Sequence, residues 1–372
     1  MHFLNFFFQK KQNILFFFYK ISTLASQNHV HMKIKAINIE GLWQKYNLCW
    51  DLKNSVNILT GSNGSGKSTI FDIVAGILIG GQLDKSTFPK VSKVIIEFED
   101  NYKVTNINFN DSYLKLKAEA NKDYVLKELE EDVTDDIGNT QRKSRLNSLI
   151  IQASISSVEH NKEKCSMNDF LKQINIDIIS TFDTTLPDKD DSSRFPMLEK
   201  EGVRSSLDKD LHELQEQYSY YLGGLANRME KAILKGDEID KKFISELYSQ
   251  KNLFISIINE LFNETQKTID IDKSKLEFML NDGKHLSMYE LSSGEKQVLY
   301  ILLKTLLQEK KEYIVFMDEP EISLHIDWQV ILINKILLLN PNCQLLIATH
   351  APSLILQGWD DHVQNMNDLK CE

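Results

Sequence analysis

The sequence predicts an α/β protein with a mixed central sheet, and three observations point that way. A glycine-rich loop joins an apolar strand to a helix early in the chain. Two later apolar runs each end abruptly in polar or charged residues. Between that loop and these runs, a stretch of period-two alternation is punctuated by Asp–Asn and Asn–Asp turns. A run apolar along its whole length marks a strand covered on both faces, whereas alternation marks one with a wet face.

The first element is the loop. Val56 to Thr60 reads as a buried strand, and Gly61-Ser62-Asn63-Gly64-Ser65-Gly66-Lys67-Ser68-Thr69 fits the pattern G-x-x-x-x-G-K-[ST] at every fixed position. Three glycines let consecutive backbone N–H groups turn inward to a phosphate chain. Lys67 to Ile79 reads as a helix whose positive N-terminus faces that anion. Lys67 brings a compact positive charge to the β and γ phosphates, and the Ser68 hydroxyl is a Mg²⁺ ligand. The expected ligands are ATP and Mg²⁺.

The later elements supply candidate chemistry. Tyr313 to Glu319 is an apolar run ending in two acids. Asp318 is placed to reach Mg²⁺ through a water, and Glu319 to polarise the water that attacks the γ-phosphate. Leu291-Ser292-Ser293-Gly294-Glu295-Lys296-Gln297 opens a helix running to about Gln308. Ser292 with Glu295 makes a capping box, which accounts for those two residues structurally but leaves Gly294 unexplained. Gln344 to His350 is a further buried strand, ending in a histidine.

Taken in order, the phosphate loop, L-S-S-G-E-K-Q, M-D-E-P-E and A-T-H resemble the ABC-type ATPases. The signature is closer to the SMC-like and recombination-repair branch than to transporters. Glu319 to His325 and Thr349 to Ser353 look like the standalone "AAA family" ATPases of bacterial defence and toxin–antitoxin loci. The resemblance covers roughly Met32–Ala118 and Ser287–Gln357. It implies a P-loop NTPase fold of ABC type with an antiparallel meander and an inserted helical lobe. It also implies a head-to-tail homodimer sandwiching two ATP molecules. Ser292 and Gly294 would contact the γ-phosphate of the opposite protomer, Glu321 to His325 would cross the interface, and His350 would sense the γ-phosphate and hold the attacking water. Ser293 stands where the family usually has a second glycine. Gln82, Gln152 and Gln173 do not fit the glutamine that normally couples the magnesium site to the helical lobe, so none is assigned.

Composition bounds the rest. A chain of 372 residues can bury a large core. A net charge of −10 argues against wholesale coating of DNA but leaves room for a local basic groove. Cys49, Cys165, Cys343 and Cys371 lack C-x-x-C spacing, so neither a zinc site nor a disulfide framework is expected, and a reducing cytoplasm fits. Residues 1–31 carry two phenylalanine clusters, Phe6–Phe8 and Phe16–Phe18, interrupted by Lys10 and Lys11. Each is too short to span a membrane. The expectation is a disordered tail or a mis-assigned start, with translation beginning at Met32.

Four segments follow: the leader 1–31, the first part of the nucleotide lobe 32–120, a mainly helical insertion 121–284, and the rest of the lobe 285–372. The meander is expected at Val91–Phe98, Val104–Phe109 and Tyr113–Ala118, and a loop at Pro187–Pro196. Leu207, Leu211, Leu214, Tyr218, Tyr221 and Leu225 form a stripe that reads as helical-lobe core, broken by Gly223-Gly224. The insertion is too short for a chromosome-organising arm, and a lone Cys165 cannot form a zinc hook. With only a short stretch after His350, no fused nuclease is expected, and effector chemistry is expected from a separate polypeptide. Three roles stay open for the ATP cycle: regulation of an anti-phage or toxin–antitoxin module, a RecF-like clamp on duplex DNA, and energising a transporter. The signature and the large insertion count against transport.

Overall fold

The computed structural model describes residues 32–80, 91–108, 154–180, 202–271, 273 and 275–371. The leader, Gln82, Gln152, the expected strand Tyr113–Ala118 and the expected loop Pro187–Pro196 lie outside them.

Two sheets sandwich one helix. Strands β1 (Ile34–Leu42), β2 (Tyr46–Asp51), β3 (Val56–Thr60), β4 (Lys93–Phe98), β5 (Tyr102–Asn108), β6 (Ser154–His160) and β7 (Glu163–Cys165) open the chain, with helix α1 (Lys67–Leu78) after β3. Helix α2 (Met167–Leu171) and strand β8 (Ile176–Ser180) follow. Helices α3 (Ser206–Lys235), α4 (Lys241–Leu247) and α5 (Ser249–Leu261) then lead to strands β9 (Lys267–Ile269), β10 (Glu277–Leu280) and β11 (His285–Ser287). Helix α6 (Ser293–Leu307), strand β12 (Ile314–Asp318), helix α7 (Ile326–Leu339) and strands β13 (Gln344–Ala348), β14 (Val363–Asn365) and β15 (Lys370–Cys371) complete the chain.

The five-stranded sheet β14-β3-β13-β12-β8 is parallel throughout. The seven-stranded sheet β15-β2-β1-β4-β5-β6-β7 is antiparallel, and β11-β10-β9 forms a small third sheet. The period-two side-chain rule sorts each parallel strand onto two cores. Ile58, Val315, Met317, Leu345 and Ile347 face a core shared with α3, α5, α6 and α7. Leu59, Ile314, Phe316, Leu346 and Ala348 face a second core shared with α1 and the antiparallel sheet. Helix α1 joins the sheets through Phe71, whose ring stacks on Trp50 at 6.3 Å and meets Phe316 edge-on at 5.5 Å.

Three expectations are revised. Residues 154–180, expected inside the helical insertion 121–284, form β6 and β7 of the antiparallel sheet and β8 of the parallel one. Strand β8 pairs with β12, from Ile176 beside Ile314 to Ser180 beside Asp318. Its partner lies far away in sequence, so local pattern could not reveal it. Second, Gly223-Gly224 does not interrupt its helix. Helix α3 runs on to Gly236, opened by a reciprocal capping box between Ser205 and Asp208. Two glycines cost roughly 1 kcal/mol each relative to alanine, which packed neighbours on both sides outweigh. Leu207, Leu211, Leu214, Tyr218 and Leu225 of the expected stripe are buried. Third, Cys49 and Cys371 are disulfide-bonded, with Cα atoms 6.0 Å apart, because β15 lies antiparallel beside β2. Cysteine spacing carries no information about a strand pairing that brings distant parts of the chain together.

Phe71→Ala empties the junction between the sheets and is expected to cost roughly 3–5 kcal/mol, read by denaturant unfolding.

Candidate nucleotide site

The C-terminal ends of β3, β12 and β13 converge on one edge of the parallel sheet, where a crevice for ligand is expected in this architecture. The phosphate loop leaves β3 and enters α1 at Gly66. No side chain caps that helix, so its first N–H groups remain available to an anion. Gly66 has φ +103°, and a Cβ there would collide with the Trp43 indole. Glycine is therefore demanded twice at this position, by backbone conformation and by close approach.

Lys67 is 5 % exposed, and its Nζ donates to the carbonyls of Gly61 at 3.1 Å and Ser62 at 3.4 Å. The same nitrogen lies 2.6 Å from His350 Nε2. An ammonium can only donate, so His350 accepts there and carries its proton on Nδ1. Burial lowers the Lys67 pKa, while the negative charges of Glu319, Asp318 and Glu321 oppose that loss. Asp318 shows the converse. Burial holds its carboxyl above the ordinary aspartate range, against a hydrogen bond from Ser68 and the charge of Lys67.

Glu319 has φ +49°, a left-handed conformation that non-glycine residues adopt sparingly and that clusters at functional positions. Its N–H donates to Ala348 O at 2.8 Å, and its Oε1 stands 3.7 Å from His350 Nε2. Glu321 Oε1 accepts from Thr349 Oγ1 at 2.5 Å and from the N–H groups of His350 and Ala351 at 3.1 and 3.2 Å. The resemblance placed Glu321 in an interface loop. Within this chain it also fixes the turn that carries His350.

The structure therefore brings Lys67, Asp318, Glu319 and His350 together, with Ser68 hydrogen-bonded to Asp318. Gly61, Ser62, Asn63, Gly64, Ser65 and Thr69 complete the loop and the first turn of α1. Ser292 and Ser293 are exposed at the start of α6, but Gly294 is buried. A Cβ at residue 294 would collide with the carbonyl oxygen of Ser323, itself at φ +67°. The glycine unexplained by capping thus has a reason within its own chain, and the surface this turn offers outward is the serine pair. Gln173 bonds Tyr102 and the Asp169 carbonyl, tying it to the antiparallel sheet.

Sequence reading missed two features beside the loop. Trp43, on the β1–β2 turn, joins Tyr46, Gly64, Ser65, Met366 and Lys370 around a cleft of about 360 Å³. Asp72 stands near Asp318 on α1. Although it keeps a solvent-exposed edge, desolvation first and the Asp318 charge second push its carboxyl up to about 6. An acid five residues after Lys67 was visible as a signal; the cleft required two distant segments to meet.

The residues fit Mg²⁺. The Ser68 hydroxyl and the Asp318 carboxylate are hard oxygen donors already in contact. Among the described residues no group of three or more His, Cys, Asp or Glu could hold a metal. Mg²⁺ characteristically takes one or two protein oxygens and completes its shell with substrate phosphates and water.

Comparison with known proteins bears on this geometry. A family model described as "AAA domain, putative AbiEii toxin, Type IV TA system" matches residues 56–356, from the strand before the phosphate loop to just past His350. The chain belongs to this family. It is also similar to the "Retron Vc95 probable ATPase" of Vibrio cholerae serotype O1 biovar El Tor, at 22% identity over 380 residues, covering 85% of this chain and 70% of that protein. Among solved structures, an SMC head bound to the C-terminal winged-helix domain of ScpA matches at TM-score 0.48 and 14% identity, covering 87% of this chain and 90% of that one. The SMC head domain of Thermotoga maritima matches at TM-score 0.44 and 12% identity, covering 90% and 94%. Membership agrees with the α/β fold and the P-loop that the sequence predicts. No helix among the described residues is long and apolar enough to cross a membrane.

Gly294→Ala forces the Ser323 segment to move and is expected to destabilise the protein by about 1–3 kcal/mol, read from thermal unfolding.

Proposed function

We propose that this chain hydrolyses ATP in the manner of ABC-type ATPases, closing a head-to-tail homodimer on ATP and reopening it by hydrolysis. The observation that carries the reading is the gathering of Lys67, Asp318, Glu319 and His350 at the ends of adjacent parallel strands. Lys67 and the uncapped α1 N-terminus receive the triphosphate. Ser68 and Asp318 hold Mg²⁺, which when bound neutralises charge on the phosphate oxygens. Glu319 takes the proton of the attacking water as general base, and His350 orients that water beside it. Nucleotide entry draws the Lys67 ammonium from His350 to the phosphates, which frees the imidazole Nε2 for this task. Ser292 at the mouth of α6 caps the γ-phosphate of the opposite protomer.

For the biological role we propose a regulatory ATPase of an anti-phage or toxin–antitoxin module that restrains a separate effector protein. The printed description of the family and the retron relative support that reading. The chain works in the cytoplasm, where ATP is available and where thiols are kept reduced. The contact between β2 and β15 does not rest on the Cys49–Cys371 bond alone, because backbone bonds such as Cys49 N to Leu369 O at 2.8 Å also hold it.

Glu319→Gln is expected to keep ATP affinity, slow turnover by roughly a hundredfold or more, and accumulate an ATP-bound dimer on size-exclusion chromatography. Normal turnover by this variant would refute the assignment of the base. Lys67→Ala removes the charge that meets the phosphates, and a nucleotide-binding titration should show ATP affinity lost.

A further inference from the structure

The Ser292 hydroxyl is not a free surface group. Its oxygen accepts from the Glu295 N–H at 3.3 Å and its proton points to Glu295 Oε2 at 2.9 Å, while the Ser292 N–H donates to the same oxygen at 2.9 Å. Glu295 therefore fixes both the backbone and the side chain of this serine. An ordinary capping-box glutamate lies in water and needs no other partner. Glu295 is 1 % exposed, and a carboxylate so placed needs compensation from the protein.

That compensation comes from one segment, the start of β9. Lys267 Nζ reaches both carboxylate oxygens, at 2.6 and 2.8 Å, and Thr265 Oγ1 donates to Oε1 at 2.7 Å. Burial alone would raise the Glu295 carboxyl; the hydrogen bonds from Lys267, Thr265 and Ser292 outweigh it and hold it below the ordinary glutamate range. Strand β9 is in turn tied to the end of α5, with Lys267 N bonded to Phe262 O at 3.3 Å and Ile269 N to Asn259 Oδ1 at 2.8 Å. A continuous chain of contacts thus runs from the helical lobe through Lys267 and Glu295 to Ser292.

We propose that Lys267 and Thr265 are positioning residues, which act through Glu295 to aim the Ser292 hydroxyl at the triphosphate bound by the opposite protomer. The proposal rests on the head-to-tail reading above. Its physical basis is competition for one proton. To donate to a phosphate oxygen, the Ser292 hydroxyl must leave Glu295. A carboxylate whose charge is already shared with an ammonium and a threonine holds that hydroxyl less tightly than a bare one would. Lys267 both keeps the turn in place and loosens the grip on the proton that the partner's nucleotide requires. The helical lobe, which supplies Lys267, thereby acquires control over closure without touching nucleotide.

The test uses the full chain, with Mg²⁺ and ATP as the probe, in the Glu319→Gln background for dimerisation and in the otherwise native chain for turnover. Lys267→Met is expected to bind ATP as its parent does, because Lys67 and the loop are untouched. It should weaken ATP-driven dimerisation by about tenfold or more, the loss typical of one charge-assisted hydrogen bond. kcat should fall with KM little changed, and Lys267→Arg should restore both dimerisation and kcat in part. If Lys267→Met does not fold, Thr265→Val serves in its place: nearly isosteric, it removes one donor to Glu295 and should weaken dimerisation by about threefold. A variant that binds ATP normally and dimerises like its parent overturns the proposal. Absence of an ATP-dependent dimer in the Glu319→Gln parent would instead overturn the head-to-tail reading itself.

Discussion

A buried ammonium must be solvated by something, and the architecture of this site follows from how Lys67 meets that requirement. Its side chain lies 5 % exposed among loop carbonyls and an imidazole, with three carboxylates contributing favourable charge. The carboxylates arrive by register. β12 delivers Asp318 and Glu319 at its C-terminal end, and parallel pairing sets Asp318 beside Ala348, just before Thr349 and His350. Glu321 then ties the β13 exit back to the β12 exit through Thr349, His350 and Ala351. Removing any one support would leave either a buried cation or a buried anion without compensation, an outcome that interiors tolerate poorly.

The antiparallel sheet shapes the same site from the other side. Its β1–β2 turn lays Trp43 against Gly66, and its last strand, β15, brings Lys370 over the Tyr46 ring at 4.7 Å. Helix α1 is the common wall, buried along Ile70, Phe71, Ile73, Val74, Ile77 and Leu78. The antiparallel sheet thus presses on the loop at Gly66, while Ser62, Asn63 and Gly64 stay exposed at its crest. Gly66 and Gly294 are each pressed against another segment, Trp43 in one case and Ser323 in the other. At both places the backbone meets a neighbour too closely for an added Cβ.

Legibility of this protein in its sequence tracked the range of the interactions. Strand β3 coincides with the span read from the apolar run Val56–Thr60, and β12 and β13 begin within a residue of the expected positions. These segments announce themselves because burial on both faces writes a local signature. The capping box at Ser292 and Glu295 was equally visible, since helix ends are governed by contacts three residues apart. Strand β8 was not visible, because Ile176 to Ser180 is short and its pairing to β12 is non-local. The continuation of α3 through Gly223-Gly224 depended on packing that outweighs two weak helix formers. The Cys49–Cys371 bond, the Trp43 cleft and the Lys267–Glu295 pair share one reason for having been missed: each joins segments that only the fold makes neighbours.

From its residues alone, this chain determined a phosphate-binding loop, the acids and histidine that accompany it, and the α/β class that presents them, because those features are encoded in contiguous stretches of a few residues. Tertiary structure decided which of these groups lie together, why Gly294 must be glycine, and which lysine answers the buried Glu295. Burial, charge compensation and steric exclusion act between atoms close in space, and sequence separation places no limit on which residues those are.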